Sequence, residues 1–124
     1  MEVWDLYDED REPLGITHER GIPMKEGTYH VVVDIWTVTP EGKILLTQRH
    51  PEKKFGLKWE CTGGSVLTGE SSVEGILREL KEEVGICAKP EELTLLDTVR
   101  LEERFVDTYI SKRPVDLMKL KLQD

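Results

Sequence analysis

Glu79, Glu82 and Glu83 stand three and four residues apart in a stretch whose apolar residues recur with a helical period. At about 100° per residue they fall within an arc of roughly 100°, which brings their carboxylates within reach of one another. Like charges placed this way repel and cost the helix stability unless something neutralises them. The cluster is rich in oxygen, free of thiols and poor in histidine. The partner it suits is therefore a hard divalent cation, Mg²⁺ or Mn²⁺. Mg²⁺ keeps several waters and is commonly shared with substrate phosphates, so a half-open carboxylate face suffices. Arg78 flanks the arc and can hold one carboxylate by a bidentate contact. Taken alone, three glutamates on one helix are more often a solvated charged face. Both readings stand at this point.

The elements that must position these groups can be read from the same stretch outward. Ser71 with Glu74 three residues on makes a capping box, worth about 1 kcal/mol to the helix start. Val73, Ile76, Leu77, Leu80 and Val84 form one apolar stripe, and Gly85 is placed to end the helix. Gly75 in its interior costs about 1 kcal/mol of helix propensity. Upstream, residues 3–7 read as a short strand, residues 8–15 as an acidic turn-rich stretch, and Gly21 to Gly27 as a loop. Residues 29–38 (YHVVVDIWTV) read as a largely buried strand with Trp36 in the core. A turn at 39–42 sends the chain back through residues 43–49 (KILLTQR) as a hairpin. His50, Lys53, Lys54 and Lys58 lie in a basic loop, and residues 59–62 make a short strand before Gly63 and Gly64. Strands are expected over 93–101 and 104–111, and over 118–123 (MKLKLQ), where apolar and polar residues alternate. Strands, one good helix and more strands predict an α+β fold, a mixed sheet packed on a helix.

With 124 residues, 1–124 is expected to be a single domain. The net charge of −8, with no dense Lys/Arg cluster, argues against a nucleic-acid polymer or an anionic membrane as partner. A phosphorylated substrate would need a recruited cation to offset that field. No run approaches the roughly 20 apolar residues of a membrane span, and the first residues do not read as a signal peptide. Cys61 and Cys87 make neither a disulfide framework nor a zinc site, so two reduced thiols in the cytoplasm are expected.

Gly64, Glu70, Arg78, Glu79, Leu80, Glu82, Glu83, Gly85 and Ile86 match every fixed position of the Nudix box, G-x5-E-x7-R-E-U-x-E-E-x-G-U with U aliphatic. A chance match to so many fixed types is rarer than about one in a million. The chain thus resembles the MutT-like Nudix hydrolases over essentially its whole length, with the box at 64–86. The segment from Trp4 to His30 is similar to the subgroup related to isopentenyl-diphosphate isomerase. The resemblance implies a Nudix α/β/α sandwich with a mixed sheet and a loop-helix-loop box. It also implies a C-terminal end cut short at Asp124, since such domains usually continue with further strand and a helix. The implied activity is pyrophosphohydrolysis of a small-molecule nucleoside diphosphate derivative, dependent on Mg²⁺ or Mn²⁺, with a homodimer left open.

Carried over position by position, Glu79, Glu82, Glu83 and the carbonyl of Gly63 match the metal ligands. Glu70 and Arg78 match positions that support the box and orient Glu79. Glu79, Glu82, Arg78 and Glu70 are accordingly the expected catalytic group. Arg49 matches a position that contacts the nucleotide in MutT-like members, and Trp59 is a candidate stacking platform. In some members the general base lies on a later loop, which keeps Glu102, Glu103 and Asp107 in view. Two other functions compete. Isomerisation would need a Cys and a His where this chain has Gly63 and Ser65, although His18 and His30 are available. A non-catalytic nucleotide-binding module would be expected to have lost box glutamates, and none is lost here.

Overall fold

The computed structural model describes residues 1–122. Its centre is β3 (His30–Val38), whose β-branched run alternates buried Val31, Val33, Ile35 and Thr37 with more exposed neighbours. β3 pairs antiparallel with β6 (Thr62–Ser65) on one edge and parallel with β8 (Arg104–Lys112) on the other. β7 (Thr94–Leu101) closes the far side, giving a mixed sheet in the order β6-β3-β8-β7. The single α-helix among the described residues, α1 (Ser72–Val84), lays Ile76, Leu80 and Val84 on the inner face of this sheet. The chain therefore has the expected α+β architecture, and the described residues supply the sheet and one helical layer. No helix among them is long and apolar enough to cross a membrane.

The helix forms as its sequence dictates. Ser71 Oγ accepts the Glu74 N–H at 3.1 Å, and Glu74 Oε1 accepts the Ser71 N–H at 2.9 Å. Gly85 ends the helix in the left-handed region with φ of 75°. Gly75 is explained by packing: a Cβ there would lie 2.9 Å from Val66 Cγ2. The glycine lets α1 approach the chain leading into it.

Four expectations are corrected. Residues 43–49 do not form a full returning strand. After the turn, contact with β3 is limited to the Val38–Ile44 bridge and the Leu45 N–H donating to Thr37 O at 2.9 Å. The reason is occupancy, because β8 takes one whole edge of β3 and β6 takes Val32–Ile35 of the other, which leaves only the end of the strand open. The chain instead forms β4 (Thr47–Gln48), which pairs with β5 (Trp59–Glu60). A strand missing from the sequence reading, β2 (Pro13–Glu19), pairs with β1 (Val3–Tyr7). Pro13 and Gly15 obscured it, yet proline is tolerated at the first residue of an edge strand. Trp36 is 43% exposed and sits on the outer face of the sheet. Finally, 118–123 is not a strand where it is described. Asp116 caps a 3₁₀ turn at Leu117–Lys119, and the Lys121 N–H donates to Val84 O, docking this segment on the end of α1. Gln123 lies outside the described residues.

Candidate active site

Arg78 organises the polar face of α1. Its Nε and Nη2 grip Glu70 at 2.7 and 3.1 Å, and Nη2 also donates to Ser65 O at 3.0 Å. Its Nη1 donates to Glu79 Oε1 at 2.8 Å and to Glu82 Oε2 at 3.1 Å. All five guanidinium N–H groups are thereby used. Burial opposes the charge on Arg78, but the hydrogen bonds to Glu70 and Glu79 outweigh it and hold the group protonated. Glu70 is fixed in turn, because its Oε1 accepts the Leu67 N–H at 2.9 Å.

Glu79 is buried, and its carboxyl lies beside that of Glu83. Glu83 also accepts the Gly63 N–H at 3.3 Å. The loop–strand backbone presses against this pair. A Cβ on Gly64 would fall 2.6 Å from Glu79 Oε1, whereas one on Gly63 would run into Val33 O of the neighbouring strand β3. Burial pushes both carboxyls above their ordinary range, and for Glu83 the charge of Glu79 adds to it. Two carboxylates this close are satisfied by a shared proton or by a cation. The donors are all oxygens, which fits a hard divalent ion. Among the described residues no three acidic, His or Cys side chains converge into a closed cage. Glu82 leans toward Arg78, and the face is half open.

Glu83 borders a cleft of about 870 Å³ that is also lined by Arg49 and Trp59. Arg49 Nη1 contacts both oxygens of Glu60 at 3.1 Å and its Nε donates to Lys54 O, so Glu60 sets its orientation. Trp59 is 64% exposed. The structure thus brings Glu70, Arg78, Glu79, Glu82, Glu83 and Gly63 together and places Arg49 and Trp59 on the neighbouring cleft.

Asp107 does not join them. Its Oδ1 accepts from Arg11 Nη1 at 2.7 Å and Thr98 Oγ1 at 2.9 Å, and its Oδ2 from Arg11 Nη2 and Ser72 Oγ at 2.6 Å each. Burial would raise its pKa, but these donors win and hold it below the usual carboxylate range. With both oxygens engaged, it is a structural acid. Glu102 and Glu103 sit at the turn between β7 and β8, where Glu103 O accepts the His30 N–H. Sequence reasoning missed Arg11, which lies 96 residues from Asp107 and carries no local signal, and it missed the Arg49–Glu60 pair.

A family model described as the NUDIX domain matches residues 28–120. The chain belongs to the Nudix family. An uncharacterised Nudix hydrolase of Listeria monocytogenes is 34% identical over 125 residues, covering 99% of this chain and 74% of its own. The dihydroneopterin triphosphate diphosphatase of Escherichia coli K12 is 33% identical over 93 residues, 73% of this chain and 60% of its own. The fold is also that of a Deinococcus radiodurans crystal structure, with a TM-score of 0.79 at 20% identity, covering 98% of this chain and 76% of that one. The Arg78-centred cluster is thus the Nudix box, folded as loop, helix and loop.

Proposed function

We propose that this Nudix protein is a pyrophosphohydrolase dependent on Mg²⁺ or Mn²⁺, acting on a small molecule that carries a diphosphate linkage. The observation that carries the reading is the Glu79–Glu83 carboxyl pair, pressed against Gly63 and Gly64 and opening onto a cleft with Arg49. Similarity to a triphosphate diphosphatase supports the same bond class. Glu79, Glu82, Glu83 and the Gly63 carbonyl would hold the cation. When bound, it supplies Lewis-acid polarisation of the phosphoryl group and offsets charge developing there. Arg78, anchored by Glu70, keeps Glu79 and Glu82 from splaying apart. Glu82 is the most exposed of the three and is the group proposed to take a proton from the attacking water. Arg49 would meet the substrate, with Glu60 fixing its fork.

The test is phosphate release from a panel of nucleotide and prenyl diphosphates with Mg²⁺ or Mn²⁺, run beside Glu82→Gln and Glu83→Gln. At least one substrate should turn over, and each variant should lose on the order of 10²-fold or more in kcat. Mg²⁺ should also raise the melting temperature of the protein and fail to do so in Glu83→Gln. Full activity in both variants sinks the reading.

A further inference from the structure

The turn that leads into α1 carries Glu70, and it is held from outside the box. β1 lies alongside it, where the Thr68 N–H donates to Val3 O at 2.8 Å. Asp5 takes the tip of the turn with both oxygens. Its Oδ1 accepts Thr68 Oγ1 at 2.5 Å, and its Oδ2 accepts the Gly69 N–H at 3.0 Å. Asp5 stands 63 residues before Thr68 in the chain. The β1–β2 ladder shifts register between Asp5 and Tyr7, an irregularity of the kind that re-aims a side chain. The residue it holds, Gly69, has a φ of 81°, so the turn passes through the left-handed region at that point.

The next residue is Glu70. Its N–H donates to Leu67 O at 3.0 Å and its Oε1 accepts the Leu67 N–H at 2.9 Å, so backbone and side chain close the same turn. From there the bonds run through Arg78, whose Nε and Nη2 hold Glu70 and whose Nη1 reaches Glu79 and Glu82. Thr68 and Gly69 are exposed, and hydrogen bonds open to water contribute modestly to global stability. What they fix is the path of the turn, and with it the pair of oxygens that Arg78 grips.

We infer that Asp5 is a positioning residue of this site: by clamping Thr68 and Gly69 it sets Glu70, and through Glu70 the orientation of Arg78 and the carboxylates that Arg78 holds. Its effect on turnover rests on the pyrophosphohydrolase reading. Its effect on Arg78 does not.

The test is NMR of the whole chain labelled with [¹⁵N]arginine, the Arg78 Nε–H being assigned with Arg78→Lys, beside kinetics on a diphosphate that the parent hydrolyses. In Asp5→Ala the Arg78 Nε–H should exchange with solvent about fivefold faster, while the amides of Ile76 and Leu80 keep their protection. The kcat should fall about tenfold with KM within about twofold of the parent. Asp5→Asn can accept the Gly69 N–H and donate to Thr68 Oγ1, so it should restore both readouts to within about twofold. Thr68→Val, at an exposed position, removes one of the three bonds and should move both readouts the same way by less. It decides the matter by itself if Asp5→Ala does not fold. An unchanged Arg78 signal, an unchanged kcat or no rescue by Asp5→Asn overturns the inference. So does a loss of protection at Ile76 and Leu80 in step with Arg78 in both variants, which would make the contact a matter of folding alone. An unchanged Arg78 signal beside normal hydrolysis would remove the clamp and leave the hydrolase reading standing. A displaced Arg78 signal in a protein whose parent hydrolyses no diphosphate would support the clamp while the hydrolase reading fell.

Discussion

Arg78 shows why an arginine, and not any cation, sits between these glutamates. Its planar fork reaches Glu70, Ser65 O, Glu79 and Glu82 at once, whereas an ammonium offers three donors from one point. Arg78→Lys should therefore keep the fold but lower kcat about 10²-fold, since displacing a catalytic carboxylate by an ångström has an effect of that order. Circular dichroism and steady-state kinetics check the two halves, and kcat within twofold of the parent would remove the positioning role. Gly64 is a second constraint at this scale. A Cβ 2.6 Å from Glu79 Oε1 must displace the carboxylate or the strand, so Gly64→Ala should abolish the Mg²⁺-induced rise in melting temperature.

At the scale of elements, α1 is placed by its cap, its stripe and one close approach. Helix propensity alone predicts that Gly75→Ala stabilises by about 1 kcal/mol. The structure predicts the opposite sign. The new Cβ would sit 2.9 Å from Val66 Cγ2, a buried core methyl, and overpacking of this kind costs about 1–3 kcal/mol. Urea unfolding of Gly75→Ala should show a net loss, partly restored by adding Val66→Ala. Ser71→Ala removes a cap whose geometry is complete, so a loss of about 1 kcal/mol is expected by the same measurement.

Across the whole molecule, the β1–β2 hairpin is tied to the central sheet by two side-chain contacts. One is Arg11 on Asp107, bridging the turn after β1 to β8, with Ser72 of α1 and Thr98 of β7 joining it. The other is the Trp4 indole stacked on His30 at 3.9 Å and 8°. His30 is buried, its Nδ1 has no partner, and it faces His18, Arg104, Arg20 and Glu2. Burial, reinforced by Arg104 and His18, lowers its pKa to about 4. The folded state thus resists a proton that the unfolded chain takes up near 6.5. His30 contributes its full stability above 6.5 and loses it as pH falls toward 4. Unfolding free energy should be about 2 kcal/mol lower at pH 5 than at pH 7.5 from this group alone. His30→Gln should remove most of that slope, and an unchanged slope would show that another group titrates.

The box, the helix with both caps, the central strand and the strands β7 and β8 were legible in the sequence. Each depends on neighbours close in the chain: a 3.6-residue stripe, a three-residue cap, a run of β-branched side chains. The candidate cation face was legible for the same reason, since Glu79, Glu82, Glu83 and Arg78 share one helix. What only the tertiary structure decided is everything that depends on which edges and faces are already occupied. β6 had already taken Val32–Ile35 of β3, so residues 43–49 met only its last two residues and the chain turned to β5, leaving a cleft beside Glu83. Asp107 was claimed by an arginine 96 residues away, Trp36 was left on the outer face, and Gly75 was required by Val66. Spacing along the chain sets what a residue can do chemically. Competition for edges, faces and hydrogen-bond partners, which no local window contains, sets where it does it.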